Sequence, residues 1–106
     1  KEEFERWMKQ AEQTLKSSER DKNAKDYSWA CFKAHQAAEF AIKGLLYGLG
    51  IMTYGHSLKR LIDLLSQKIE IPKGILRSAT EEALNSAKMI LEFVKGVADA
   101  SIREGN

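Results

Sequence analysis

The fold of this protein is decided by residues 27–49, which read YSWACFKAHQAAEFAIKGLLYGL. Apolar side chains occupy most positions of this stretch, and alanine is its commonest residue. A helix that is apolar on most sides has to be covered on most sides, so we predict that this is the central helix of a bundle. Gly48 and Gly50 predict its end, because glycine is the residue that most often follows a helix C-terminus.

Amphipathic segments flank this central helix on both sides. Apolar residues recur at three- and four-residue spacing from Phe4 to Leu15, which predicts a first helix of about five turns. The polar run 17–23 predicts a loop or a frayed helix end. Ser57 is in position to cap a third, leucine-rich helix, and Pro72 suits the first turn of a short helix.

A long final helix completes the pattern. Its apolar stripe runs from Leu84 to Ile102, and Ser78 with Glu81 has the spacing of a capping box at its start. Amphipathic helices joined by short connections predict an all-α protein, an antiparallel up-and-down four-helix bundle with a possible short fifth helix.

Length and charge restrict the function classes. The chain has 106 residues and a mass of 12.0 kDa, so we predict a single domain over residues 1–106. Seventeen Lys and Arg against fifteen Asp and Glu give a net charge of +2, far from the positive field of an autonomous DNA binder. Cys31 is the only cysteine, which predicts a reducing, cytoplasmic location, and no apolar run is long enough to span a membrane.

Residues with potential chemistry are scarce. The two histidines, His35 and His56, are not paired at helical spacing, so no metal site and no cofactor are predicted. We interpret His35 as a partly buried helix residue and His56 as a turn or cap residue. Cys31 lies in an apolar run, which favours a structural and inert thiol.

The polar strip of the central helix offers the best candidate binding site. Its members are Lys33, Gln36, Glu39 and Lys43, which three- and four-residue steps place near one face. One interpretation is a solvated helix face. The other is a small basic groove that holds a phosphate, for which the candidate residues are Lys33, Gln36, Lys43, His56, Lys59 and Arg60.

Large apolar residues suggest where the core and an interface lie. We predict that Trp7 and Trp29 are core anchors, because aromatic residues at helical spacing are usually buried. Met89, Phe93 and Val97 form a second stripe on the last helix. We predict that this second stripe is the interface of a homodimer.

The central helix has an aromatic-alanine pair at 29–30, followed by QAAE at 36–39 and AIKGL at 41–45. GHSL at 55–58 precedes the third helix, and EEAL at 81–84 precedes the stripe of the last helix. Together these motifs resemble those of the HEPN family of nucleotide-binding helical domains. The resemblance implies a helical bundle, usually homodimeric, that binds nucleotides or processes RNA. It also implies a minimal nucleotidyltransferase as a frequent partner, with some such pairs acting as toxin and antitoxin.

One feature of the active ribonucleases in that family is missing from this sequence. Those members carry an arginine followed four to six residues later by a histidine, and no arginine here is followed in that way. We therefore predict a binding module and no catalytic residue. The alternatives are a metal-independent endoribonuclease, which requires a loop near Ala79 that this sequence does not contain, and a non-catalytic scaffold for helical assembly.

Overall fold

The protein is built from helices in the computed structural model, which describes residues 2–53, 57–78 and 83–103. A short π-helical turn, Asp99–Arg103, continues the last of them. The α-helices are α1 (Glu2–Asn23), α2 (Tyr27–Gly48), α3 (Leu58–Ser66), α4 (Lys73–Ser78) and α5 (Ala83–Ala98). Within these ranges no strand occurs, and the predicted all-α class is confirmed.

Helices α1, α2 and α5 pack along their lengths, and α3 and α4 cover the remaining side. Ser18 near the end of α1 contacts Ala30 near the start of α2, so these two helices are antiparallel. Gly48 at the end of α2 faces Ile102, just after α5, so α2 and α5 are parallel. These directions are those of the predicted up-and-down bundle, with α4 as its short additional helix.

The core lies between these helices and is apolar. The small residues of α2 face its neighbours, and large side chains from the second half of α2 and from the other helices fill the space between them. Its largest fully buried side chains are Phe4, Met8, Ile42, Leu45, Leu46, Leu61, Leu65, Ile90 and Val94.

The prediction of a loop or a frayed helix end over residues 17–23 is wrong, because α1 continues as a regular helix to Asn23. Ser18 lies in this last part of the helix, is fully buried, and donates a hydrogen bond of 2.6 Å to the carbonyl oxygen of Ala30. A polar residue that finds a partner inside the protein does not end a helix. The turn to α2 follows, with Lys25 in the left-handed region at φ 65°.

The predicted helix ends are confirmed where the structure describes them. Helix α2 ends at Gly48, and Gly50 adopts the positive φ of 85° that favours glycine. The Ser57 hydroxyl accepts a hydrogen bond of 3.3 Å from the backbone N–H of Arg60 and caps α3. Pro72 precedes α4 directly, whereas Glu81, which completes the predicted capping box, lies outside the described residues.

The start of α2 differs from the sequence-based prediction. Trp29, predicted to be a core anchor, is 56% exposed, and His35, predicted to be partly buried, is exposed. Cys31 is exposed as well, which disagrees with the prediction of a structural thiol in an apolar setting. The physical reason is that Ala30 and Ala34 are the residues buried in this half of the helix, and their small side chains let the neighbouring helices approach closely.

Candidate functional site

Lys33 lies on the side of α2 that borders α1, where it is already paired. Its Nζ is 2.8 Å from Oδ2 of Asp21 and donates a hydrogen bond of 2.9 Å to the hydroxyl of Ser17. Both partners belong to α1, so this lysine links the two longest helices. An anion that binds Lys33 has to compete with the carboxylate of Asp21.

Lys43 lies on the same strip, three turns further along α2, and contacts an aromatic cluster. Its Nζ is 6.0 Å from the ring centroid of Trp7, at the outer limit of a cation–π contact. Trp7 stacks on Tyr47 at 5.6 Å and lies against Phe40 at 5.8 Å. Trp7 is therefore half-buried between helices, so the prediction of a core anchor holds only in part.

The other predicted cations, Lys59 and Arg60, lie on the first turn of α3. Both residues are exposed, and within the described residues neither side chain has a hydrogen bond or ion pair. The Ser57 cap orients this turn, so the positive end of the helix lies beside them. His56 precedes the cap and lies outside the described residues.

The predicted binding residues therefore form two groups. Lys33, Gln36 and Lys43 follow one face of α2 beside α1, and no bond in the described part of the chain joins them to Lys59 or Arg60. The two lysines of the α2 group are engaged in contacts within the protein, whereas Lys59 and Arg60 have no side-chain partner among the residues that the structure describes.

Sequence reasoning missed an exposed aromatic pair on the first two turns of α2. Trp29 and Phe32 are 56% and 54% exposed, and their rings meet edge to face at 5.7 Å and 85°. Their spacing is the clue that was available, because Trp29, Gln36 and Lys43 are each seven residues apart and so lie in one line along the helix. The aromatic pair is therefore the continuation of the polar strip.

The predicted dimer face on α5 is less open than its sequence suggests. Met89 is 47% exposed, but Phe93 and Val97 are half-buried and pack against the core. Most of the apolar surface of that stripe is already used inside the molecule. The larger exposed apolar patch is that of Trp29 and Phe32.

The surface of the described residues carries shallow grooves. The larger one, about 370 Å³, runs between α1 and α5, has Leu15 and Leu91 among its lining residues, and is crossed by an ion pair of 3.7 Å between Glu12 and Lys95. In the described ranges, no group of three His, Cys, Asp or Glu residues is arranged to hold a metal ion. No helix there is long and apolar enough to cross a membrane.

The helical bundle and the arrangement of α2 define the class of the protein as a small, all-α HEPN-like module. The sequence matches the HEPN domain family over residues 4–81, which is most of the chain. The protein therefore belongs to the HEPN domain family.

Solved structures agree with this assignment. An archaeal HEPN homologue is 33% identical, with a TM-score of 0.74 over 88% of this chain and 95% of the other. A protein of Thermus thermophilus is 30% identical, with a TM-score of 0.81 over 88% and 96%. A HEPN domain protein from Thermotoga maritima shares the fold, with a TM-score of 0.82 at 24% identity over 89% and 98%. A comparison with curated proteins finds no match.

Proposed function

We propose that this protein is a nucleotide- or RNA-binding module that works as a homodimer. The observation that carries the proposal is the pair of adjacent cations, Lys59 and Arg60, exposed on the capped first turn of α3. An N-terminal helix turn is favourable for a phosphate because its free N–H groups and the helix dipole both attract negative charge. Membership of the HEPN family supports a nucleotide or an RNA as the source of that phosphate.

We expect the two groups of basic residues to contribute differently to phosphate binding. Lys59 and Arg60 have no partner to give up among the described residues, so they bind a phosphate at no cost in existing ion pairs. Lys33 has to leave Asp21, and Lys43 has to leave the ring of Trp7. We therefore assign the main phosphate contacts to Lys59 and Arg60 on α3. Gln36, Lys33 and Lys43 on α2 are secondary candidates. His56 is a further candidate because it directly precedes the Ser57 cap in the sequence.

The test is the binding of fluorescently labelled single-stranded RNA and of mononucleotides, followed by polarisation at several salt concentrations. The double variant Lys59→Ala/Arg60→Ala is expected to weaken binding by about tenfold or more and to flatten the salt dependence. Lys68→Ala/Lys73→Ala is the matched control, because both lysines are exposed and lie outside this turn.

Two outcomes would contradict the proposal as a whole, and a third would contradict its assignment to α3. One is a folded wild-type protein that binds neither RNA nor nucleotides. The other is an equal loss of binding in the α3 variant and in the control, which would mean that only the overall charge matters. A loss confined to Lys33→Ala and Lys43→Ala would move the site to α2 and contradict the assignment to α3.

We further propose that the partner of this module is a minimal nucleotidyltransferase, and that the two form a toxin–antitoxin-like pair. The support is the family resemblance of the central helix and of the segment at 55–58. Expression of this protein alone is expected to slow bacterial growth, and co-expression of the nucleotidyltransferase is expected to restore it. Unchanged growth, together with failure of the two proteins to copurify, would contradict this part of the proposal.

A further inference from the structure

The first two turns of α2 carry an aromatic pair that nothing in the described part of the chain covers. Trp29 and Phe32 are both more than half exposed, and their rings meet edge to face at 5.7 Å. They lie on the face of the helix opposite to Ala30 and Ala34, which are buried. Because each ring supports the other, the pair presents an ordered aromatic surface to the solvent.

Positive charges lie at the same end of the molecule, where α1 is joined to α2. Ser18 contacts Ala30, so the end of α1 lies alongside the first turns of α2. Three cations of the last turn of α1 and the joining segment are exposed and have no side-chain partner among the described residues: Arg20, Lys22 and Lys25. In the same stretch Asp21 is already paired with Lys33, and the carboxylate of Asp26 makes no cap bond to α2. The unpaired charges are therefore mainly positive, which suits a polyanion.

The aromatic pair leans toward this positively charged end. In an α-helix each Cα–Cβ bond tilts toward the N-terminus, so the side chains of Trp29 and Phe32 point back toward the segment that precedes α2. Lys25 lies in that segment. A ligand that covers the two rings therefore has a cation at its edge.

The remainder of this face of α2 is polar. Gln36 and Lys43 continue the line of Trp29 at intervals of seven residues, over about 21 Å of helix. A lipid surface would have to bury these polar side chains. A nucleic acid strand would not, because its phosphates and base edges offer hydrogen-bond partners to an amide and an ammonium group.

We propose that this face of α2 binds an unpaired RNA strand, with bases stacked on Trp29 and Phe32 and the adjoining phosphates beside the cations of the segment before α2. The inference rests on the proposed RNA-binding function and names the form of RNA that the protein takes. Every base has a flat face that stacks on an aromatic ring, whereas the bases of a duplex are already stacked on each other. The rings therefore select an unpaired strand and tolerate any sequence.

This assignment gives the two regions of the protein different tasks. Lys59 and Arg60 on α3 attract phosphate groups, which every nucleotide and many other anions carry. Trp29 and Phe32 contact the bases, which only a nucleic acid or a nucleotide offers. Removal of the rings is therefore expected to abolish the preference for bases and to leave the attraction for phosphates.

The first test compares three ligands of equal length by fluorescence polarisation. They are a short unpaired RNA, the same RNA annealed to its complement, and an abasic strand that has the phosphates without the bases. Wild type is expected to bind the unpaired RNA about tenfold or more tightly than the abasic strand, and more tightly than the duplex. Equal affinity for the unpaired and abasic strands, or tighter binding of the duplex, would overturn the inference.

Variants of the aromatic pair show whether these rings carry the preference. Trp29→Ala/Phe32→Ala is expected to bind unpaired RNA as weakly as the abasic strand, whereas Trp29→Tyr keeps a ring and is expected to retain most of the preference. Met52→Ala is the matched control, because Met52 is 66% exposed and lies beyond the other end of α2. A preference that survives in the double variant, or that Met52→Ala also loses, would overturn the inference.

Tryptophan fluorescence reports the stacking contact directly. The chain has two tryptophans, so Trp7→Phe leaves Trp29 as the only one. Unpaired RNA is expected to quench the fluorescence of this variant in a saturable way, and the abasic strand is expected to leave it unchanged. Binding of unpaired RNA without a change in Trp29 fluorescence would overturn the inference.

Two other partners of the aromatic pair would be revealed by the same variants. The molar mass of Trp29→Ala/Phe32→Ala in light scattering is expected to equal that of wild type, and vesicles of anionic phospholipid are expected not to displace RNA from wild type. A lower molar mass of the double variant would assign the rings to a contact between two copies. Displacement of RNA by vesicles, lost in the double variant, would assign them to a lipid surface. Either result would overturn the inference.

These results are separable from the fate of the proposed function. A wild type that binds unpaired RNA and the abasic strand equally, through Lys59 and Arg60, retains the proposed function and overturns only the inference about stacking. A wild type that binds neither RNA nor nucleotides contradicts both.

Discussion

Gly44 shows at the scale of a single residue how α1 and α2 come so close. A Cβ atom built on Gly44 would lie 2.6 Å from the Cβ of Trp7, a distance that real Cβ atoms do not show. The neighbouring atom belongs to the root of a side chain and cannot rotate away. The absence of a side chain at position 44 is therefore a condition for the packing of α1, including the aromatic cluster of Trp7, Phe40 and Tyr47.

We expect Gly44→Ala to destabilise the protein by about 1–3 kcal/mol, because the two helices have to move apart. Chemical denaturation followed by circular dichroism measures the change. Gly96→Ala is the matched control, since Gly96 is also helical but nothing lies within 4 Å of its Cβ position. That variant is expected to gain up to about 1 kcal/mol from helix propensity. Equal stability of Gly44→Ala and wild type would contradict the close packing.

At the scale of the elements, polar contacts as well as apolar packing hold α1 and α2 together. The hydroxyl of Ser18 and the ammonium group of Lys33 both cross between the two helices, one inside the core and one at its edge. These polar contacts lie near the turn around Lys25, where the helices are joined. They therefore determine the register in which the alanines of α2 meet α1.

A double-mutant cycle on Asp21 and Lys33 is expected to give a coupling energy of about 0.5–1 kcal/mol. Asp21→Asn, Lys33→Met and the double variant are compared by urea denaturation. The coupling is expected to decrease at high salt, because both groups are partly exposed and mobile ions screen them. A coupling near zero at low salt would show that this ion pair contributes nothing to helix register.

The whole molecule combines a small core with an exposed aromatic patch. Its interior is complete without a partner, since Phe4, Leu45 and Val94 are fully buried within one chain. Among the described residues, the large apolar side chains that stay exposed are Tyr27, Trp29, Phe32, Met52 and Met89. In the proposed homodimer, stability and assembly are expected to be coupled, because association removes apolar surface from water.

The coupling predicts that the thermal unfolding temperature of wild type rises with protein concentration. An increase of about a hundredfold is expected to raise the Tm by several degrees, because mass action favours the proposed homodimer. Differential scanning fluorimetry over that range is the measurement. A concentration-independent Tm of wild type would contradict the coupling.

The periodicity of apolar residues in the sequence was sufficient to predict the helices, and local capping signals were sufficient to predict most of their ends. The apolar stripes of α1 and α5, the cap at Ser57 and the glycines after α2 are local signals, and the structure confirms each of them. The prediction of a loop or frayed helix end over 17–23 was wrong because the Ser18 hydroxyl donates its hydrogen bond to a carbonyl group of another helix. That partner is distant in sequence, so no local signal reveals it.

The sequence by itself determined the helical class, the central position of α2 and the membership of the HEPN family, because these depend on spacing and on short motifs. Only the tertiary structure decided which face of α2 is covered. Trp29 and Ala30 are neighbours in sequence, yet the alanine is buried and the tryptophan is exposed. Close helix packing favours the small side chain, and the direction from which α1 and α5 approach is a property of the whole bundle.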